Sequence, residues 1–237
     1  MILGHRGASA VALENTALAF KKAIAFGADG IELDIHLSAD DKLVVMHDEK
    51  VDRITDGKGY IKDMSLAKLK KLNIKNTKTK DNNFGKILTL KEALELVKEC
   101  SLINIELKNS FIYYQNIEEK AIKVVKEFGI ENKVIFSSFN HYSVKKIKDL
   151  KENYKTGILY MASLYKPWEY AKKLGVDMVH PYYQSVDKEM VYDCHKNDIK
   201  VVVFGANNKK DLVKLIEANV DVIITDFPKK ALNLRDK

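Results

Sequence analysis

Along the chain, short runs of alternating or continuous apolar residues are separated by longer stretches in which apolar positions return every three or four residues. The short runs are 2–5, 30–37, 43–47, 102–107, 133–138, 156–161, 177–181, 200–205 and 221–226, and their length and β-branched content predict strands. The longer stretches, among them 16–27, 90–100, 117–129, 140–152 and 209–220, carry the period of an amphipathic helix. Gly27, Gly129 and Gly175 stand where helix C-caps belong, each shortly before the next strand.

Strands alternating with helices predict parallel β/α units, because a parallel return needs a crossover and an amphipathic helix supplies it. One pair differs. The runs 30–37 and 43–47 are joined by SADDK alone, which is too short for a crossover, so they should form an antiparallel hairpin. Counting that hairpin as one unit leaves eight, the number of a (β/α)8 TIM barrel. A doubly wound open sheet is the competing architecture, but no Gly-rich dinucleotide fingerprint follows any strand. The stretch from about 48 to 88 is polar and turn-rich, with a short helical piece near SLAKLKKL. It reads as a small inserted subdomain after the second strand unit, in a chain that is otherwise a single barrel domain over 1–237, and such insertions rim a barrel's active site.

Polar residues break the apolar pattern in two strands. In GIELDIHL, Glu32, Asp34 and His36 fall at spacing two and share one face, while Ile31, Leu33 and Ile35 share the other. In LINIELK, Asn104, Glu106 and Lys108 do the same opposite Ile103, Ile105 and Leu107. In a barrel the apolar faces meet the helices and the polar faces point inward. Carboxylates confined there repel one another unless a cation lies among them. Glu32, Asp34 and Glu106 therefore make a candidate all-oxygen metal site, suited to Mg2+ or Ca2+. The competing reading is a salt-bridge network without metal, Glu106 with Lys108 and the other two carboxylates with Arg6.

His5 and Arg6 stand at the C-terminal end of the first strand, and His47 closes the hairpin arm, so both histidines should reach the carboxylates' mouth of the barrel. A lone histidine at a strand end usually serves structure. Two of them converging with carboxylates and cations point to acid–base chemistry, because histidine titrates near neutrality. Arg6 and Lys108 add fixed positive charge that suits a phosphate.

Composition narrows the class further. The formal charge is +7, but the lysines are spread among Asp and Glu along the whole chain, which describes a solvated surface and not a nucleic-acid footprint. Cys100 and Cys194 have no metal or redox spacing and read as buried, reduced thiols. No apolar run approaches the roughly 18 residues of a membrane span, and no leader pattern precedes His5. The expectation is a soluble cytoplasmic protein with a small-molecule substrate and no stable membrane insertion.

Taken together, HRG at 5–7, ENT at 14–16, GIELDIHLSADDKLVVMHD at 30–48, VDRITDGKG at 51–59, DMSLAKLKKL at 63–72, LTLKEALEL at 88–96, IELK at 105–108, SSF at 137–139 and ITDFP at 224–228 resemble the glycerophosphodiester phosphodiesterase family. The resemblance runs in order over nearly the whole chain. It implies a (β/α)8 barrel with a small insertion, dependence on one divalent metal, and hydrolysis of glycerophosphodiesters to sn-glycerol 3-phosphate and an alcohol. By motif it implies Glu32, Asp34 and Glu106 as metal ligands, His5 and His47 as the acid/base pair, and Arg6 and Lys108 as phosphate contacts. It further implies attack by the glycerol 2-hydroxyl on phosphorus, followed by hydrolysis of a cyclic phosphate; direct attack by water is the alternative. In ENT, Asn15 or Thr16 can also simply cap the first helix.

Two positions depart from the family pattern. Leu13 replaces a frequent Pro, and FGAN at 204–207 replaces a W-T-V-N-like stretch, so Phe204 stands where many members carry Trp. That smaller wall bears on the fit to glycerol more than on the phosphodiester chemistry. Related phosphodiesterases acting on a lysophospholipid or phosphoinositide are the nearest alternative, followed by a non-catalytic barrel that binds a phosphorylated ligand. A lipid substrate calls for an exposed apolar rim, and the insertion offers only Tyr60, Met64 and Phe84, which favours a water-soluble head group. His180, with Pro181, Tyr182 and Tyr183, either lines the pocket or packs a strand end.

Overall fold

The computed structural model describes residues 1–75, 85–150 and 153–237. Phe84, the insertion's residues 76–84 and the end of the helix expected over 140–152 lie outside the described residues. In chain order the first elements are β1 (Ile2–His5), α1 (Ala17–Ala25), β2 (Gly30–Leu37), β3 (Leu43–Val45), α2 (Leu66–Lys71), β4 (Leu88–Thr89), α3 (Leu90–Val97) and β5 (Leu102–Leu107). There follow α4 (Ile117–Phe128), β6 (Val134–Ser138), α5 (His141–Asp149), β7 (Lys155–Tyr160), α6 (Pro167–Leu174) and β8 (Met178–Pro181). The chain closes with α7 (Lys188–Lys196), β9 (Lys200–Phe204), α8 (Lys209–Glu217), β10 (Val222–Thr225) and α9 (Pro228–Arg235).

Strands β1, β2 and β5 to β10 pair in parallel, and β1 bonds to both β2 and β10, so the sheet closes into an eight-stranded barrel with helices between the strands. As the short SADDK link requires, β3 runs antiparallel to β2. The pattern gave no hint of β4, a two-residue strand that extends this ribbon by pairing with β3. Between β3 and β4, Met46, Val51, Ile54, Ile61, Met64, Leu69 and Ile74 bury against Val44 and Ile87 in a cluster of their own. Met64 is thus part of that small core and not of a rim.

The two-residue alternation sets the layers. Ile31, Leu33, Ile35, Ile103, Ile105 and Leu107 face outward and pack against Phe20, Leu90, Leu94 and Val125 of the surrounding helices. Inside the barrel, Leu3, Leu102, Ile135, Met178, Val202, Val222 and Ile224 form an apolar floor. Above it the inward positions turn polar, and register aligns them: Glu32 sits opposite Asn104, and Asp34 opposite Glu106, which in turn faces Ser137. His180 belongs to this interior. Its ring is fully buried, and it lies so close over Gly157 that a Cβ there would stand 2.0 Å from Nε2. Of its two alternatives, His180 takes the packed one.

Gly27, Gly129 and Gly175 adopt positive φ at the ends of α1, α4 and α6, as their spacing predicts. Cys194 is buried and Cys100 only half-buried, and both are free thiols. No helix among the described residues is long and apolar enough to cross a membrane.

Candidate active site

The site begins with the turn that ends β1. Arg6 (φ 54°) and Gly7 (φ 86°) both adopt left-handed backbone, and Gly7 N–H closes the turn on the Gly4 carbonyl at 3.1 Å. Gly7 is required there twice over: its φ disfavours a side chain, and a Cβ would meet the Ala19 backbone at 2.5 Å. The turn aims the Arg6 N–H at Glu32 Oε2, 2.9 Å away. It also folds the guanidinium inward, with Nη1 donating to Glu14 Oε1 at 3.0 Å and Nε 3.3 Å from Asp34 Oδ2.

Glu32, Asp34 and Glu106 are buried, and each offers an oxygen within 4.8 Å of the others. Burial and the neighbouring charges of Asp34 and Glu106 push Glu32 well above the usual carboxylate range. Glu106 is also raised, chiefly by burial, against the opposing pull of Lys108. Burial opposes ionisation of Asp34 too, but Arg6, Lys108, His47 and the Asn15 amide overcome it and hold Asp34 well below the usual range. Lys108 Nζ donates to Glu106 Oε1 at 2.8 Å and lies 3.8 Å from Asp34 Oδ1. The salt-bridge contacts of the metal-free reading are therefore present, and they leave the cluster unsatisfied: Asp34 Oδ1 is buried without a hydrogen-bond partner. Three converging carboxylates, one with an orphaned oxygen and two raised by burial and by their neighbours' charge, fit a hard divalent cation.

Each histidine is held by a carboxylate. His5 Nδ1 donates to Asp226 Oδ1 at 2.6 Å, and Asp226 also accepts from Ser9 Oγ at 2.9 Å and Asn207 Nδ2 at 2.8 Å. Burial raises the Asp226 carboxyl, but His5, Ser9 and Arg6 outweigh it and bring it down to about 2. His47 Nδ1 donates to Asp48 Oδ1 at 2.6 Å, and Arg53 clamps Asp48 through Nε at 2.6 Å while reaching Glu14 at 2.7 and 3.0 Å. An ionised carboxylate only accepts, so Nδ1 carries the proton in both rings and Nε2 is left for chemistry. His5 Nε2 points to the acidic cluster, 3.9 Å from Glu32 Oε2. Buried His36 braces the second arm, bonding the His47 carbonyl through Nε2 and the Tyr114 hydroxyl through Nδ1, each at 3.0 Å.

All seven residues singled out by the pattern thus meet at one mouth. Sequence reasoning missed their supports. Asn15, at φ 56°, does not cap α1; Thr16 does, accepting from the Ala19 N–H, while Asn15 Nδ2 bonds Asp34 Oδ2 at 2.9 Å. Glu14, Asp48, Arg53 and Asp226 lie inside the motifs ENT, HD, VDR and ITDFP, which is the signal that could have found them. At the end of β9, the strand beside β10, Phe204 stacks edge-on with Phe139 at 6.0 Å between ring centres and against Tyr182 at 5.5 Å.

A closed β/α barrel with paired histidine–carboxylate units around a cation-ready carboxylate cluster at its C-terminal mouth defines a hydrolase of the TIM-barrel type. The comparisons with known proteins narrow this. The model of the glycerophosphoryl diester phosphodiesterase family matches residues 5–230. A glycerophosphodiester phosphodiesterase of Caldanaerobacter subterraneus is 43% identical over 99% of this chain and 97% of its own. Among solved structures, an Oleispira antarctica phosphodiesterase in complex with the product sn-glycerol-3-phosphate superposes with TM-score 0.90, at 29% identity, over 100% of this chain and 97% of that one. The Thermotoga maritima glycerophosphodiester phosphodiesterase gives TM-score 0.79 at 31% identity, over 100% and 97%. The chain belongs to the glycerophosphoryl diester phosphodiesterase family and is an enzyme of the phosphoric diester hydrolase class.

Proposed function

We propose that the chain hydrolyses glycerophosphodiesters such as glycerophosphocholine and glycerophosphoethanolamine to sn-glycerol 3-phosphate and an alcohol. The observation that carries this reading is the placement of two Nδ1-anchored histidines about the buried Glu32–Asp34–Glu106 cluster. Arg6 and Lys108 supply fixed positive charge for a phosphate beside that cluster. His5 takes the proton of the glycerol 2-hydroxyl as its oxygen attacks phosphorus, and His47 donates to the departing alcohol. The roles then reverse as water opens the cyclic phosphate. Asp226 holds His5 with Nε2 free to accept the proton, and Asp48 stabilises the cationic His47 whose Nε2 proton goes to the alcohol. Glu32, Asp34 and Glu106 would hold one Mg2+ or Ca2+, whose positive charge supplies electrostatic stabilisation of the phosphoryl oxygens.

The reading is tested by a coupled assay for sn-glycerol 3-phosphate release from glycerophosphocholine, glycerophosphoethanolamine and glycerophosphoglycerol, each with EDTA, Mg2+ or Ca2+. Release that EDTA abolishes and a divalent ion restores is the expected outcome. Full activity in a verified metal-free preparation would refute the metal assignment, and no release from any substrate with metal present would refute the reaction.

A further inference from the structure

β3 ends at Val45, so the peptide that joins His47 to Asp48 lies beyond the strand ladder. That peptide nevertheless carries both the imidazole and the carboxylate that orients it. His36, on β2, holds it by the His47 carbonyl. A carbonyl oxygen only accepts, so His36 Nε2 carries a proton and donates across 3.0 Å. Nδ1 of the neutral ring then accepts the Tyr114 O–H, also at 3.0 Å. His36 is fully buried and Tyr114 is 5% exposed, so neither group can trade its partner for bulk solvent without loss.

Tyr114 is itself placed by the loop 108–116, which follows β5. Its N–H donates to Asn109 Oδ1 at 2.5 Å, and the buried Asn109 amide donates to Ser143 Oγ of α5 at 2.8 Å. Asn109 directly follows Lys108, whose Nζ donates to Glu106 Oε1. One loop thus sets Lys108 on the carboxylate cluster at its start and the Tyr114 hydroxyl on His36 near its end. The cation beside the cluster and the arm that carries His47 are held in register by the same stretch of chain, although Tyr114 and His36 are 78 residues apart.

We infer that Tyr114 and His36 are positioning residues for His47: the Tyr114 hydroxyl, acting through the His36 ring, sets the His47 imidazole where it protonates the leaving alcohol. This rests on the reaction proposed above and adds to it two residues that touch neither substrate nor metal ligand. No proton travels along the relay. The Tyr114 and His36 hydrogens stay on their donors, and the proton given to the alcohol comes from His47 Nε2 as the phosphorus bond to the head-group oxygen breaks. The relay therefore acts on departure of the alcohol and not on the attack for which His5 takes the proton. A leaving group that needs no proton should be indifferent to it.

The test measures single-turnover release of choline from glycerophosphocholine and of p-nitrophenol from glycerophospho-p-nitrophenol, with Mg2+, by the intact chain and its variants. Tyr114→Phe keeps the ring packing and deletes only the hydroxyl, and His36→Leu removes the whole relay. Both should release choline at least about ten-fold more slowly than wild type, and p-nitrophenol within about three-fold of it. Normal p-nitrophenol release also shows that a variant is folded, and Tyr114→Phe carries the test should His36→Leu fail to fold. His36→Gln, whose amide can again donate to the His47 carbonyl, should recover choline release relative to His36→Leu. In a His47→Ala background Tyr114→Phe should add no more than about a two-fold loss, because both changes act on one group. Equal losses on the two esters, losses that add in full to that of His47→Ala, or choline release at the wild-type rate by Tyr114→Phe would overturn the inference. Wild type that releases neither product would refute the reaction, and the inference with it.

Discussion

At the residue scale, the interior of the barrel holds two imidazoles outside the acid–base pair, and both resist protonation. Burial lowers His180 from 6.5 to about 3, and burial also lowers His36 to about 4. Neither ring nitrogen of His180 has a hydrogen-bond partner among the described residues. A histidine that is neutral when folded and protonated when unfolded makes the unfolded chain the stronger proton acceptor between the two values. Stability contributed this way is complete above about pH 6.5 and falls as pH drops toward 3, by up to about 1.4 kcal/mol per pH unit for each ring. Urea unfolding of His180→Leu at pH 7 and pH 5 should show a shallower pH dependence than wild type, with little loss at pH 7 because no hydrogen bond is removed. An unchanged slope would mean that His180 is not neutral in the folded chain.

At the scale of elements, the turn after β1 does two jobs. It ends the strand in left-handed backbone at Arg6 and Gly7, and that backbone delivers the Arg6 N–H to Glu32 and the guanidinium to Glu14. Gly7→Ala should therefore cost more than about 1 kcal/mol of stability, from the positive φ and the clash with Ala19. It should weaken metal affinity as well, because Glu32 is displaced with Arg6. Thermal unfolding and calorimetric Mg2+ or Ca2+ titration would check both; a fully stable variant with unchanged affinity would show that the turn is not tightly constrained. The periodicity of the chain made the barrel strands legible nearly to the residue, since each strand's outward face must be apolar to meet a helix. It could not reveal β4, whose two residues are too few to show a period. Nor could it expose the insertion's own core, whose apolar residues are spaced irregularly by turns.

At the scale of the whole molecule, the residues legible in advance were those that violate a strand's apolar rule, namely Glu32, Asp34 and Glu106, together with the histidines and cations beside them. Their partners were not, because Asp226, Asp48, Arg53 and Glu14 sit in loops, where a carboxylate or arginine is ordinary and only the closed barrel brings residue 226 to residue 5. Of the insertion's apolar candidates among the described residues, Met64 is buried and Tyr60 is exposed.

The central claim is that two carboxylate-anchored histidines divide proton transfer between the attacking hydroxyl and the leaving alcohol. It is tested most directly by comparing wild type, His5→Ala and His47→Ala, all with Mg2+, on glycerophosphocholine and on glycerophospho-p-nitrophenol, whose leaving group departs without a proton. Both variants should lose roughly 10²–10⁴-fold on glycerophosphocholine. On the nitrophenyl ester His47→Ala should recover to within about ten-fold of wild type while His5→Ala remains impaired. Near-wild-type turnover of glycerophosphocholine by either variant, or equal losses by His47→Ala on both substrates, would contradict it.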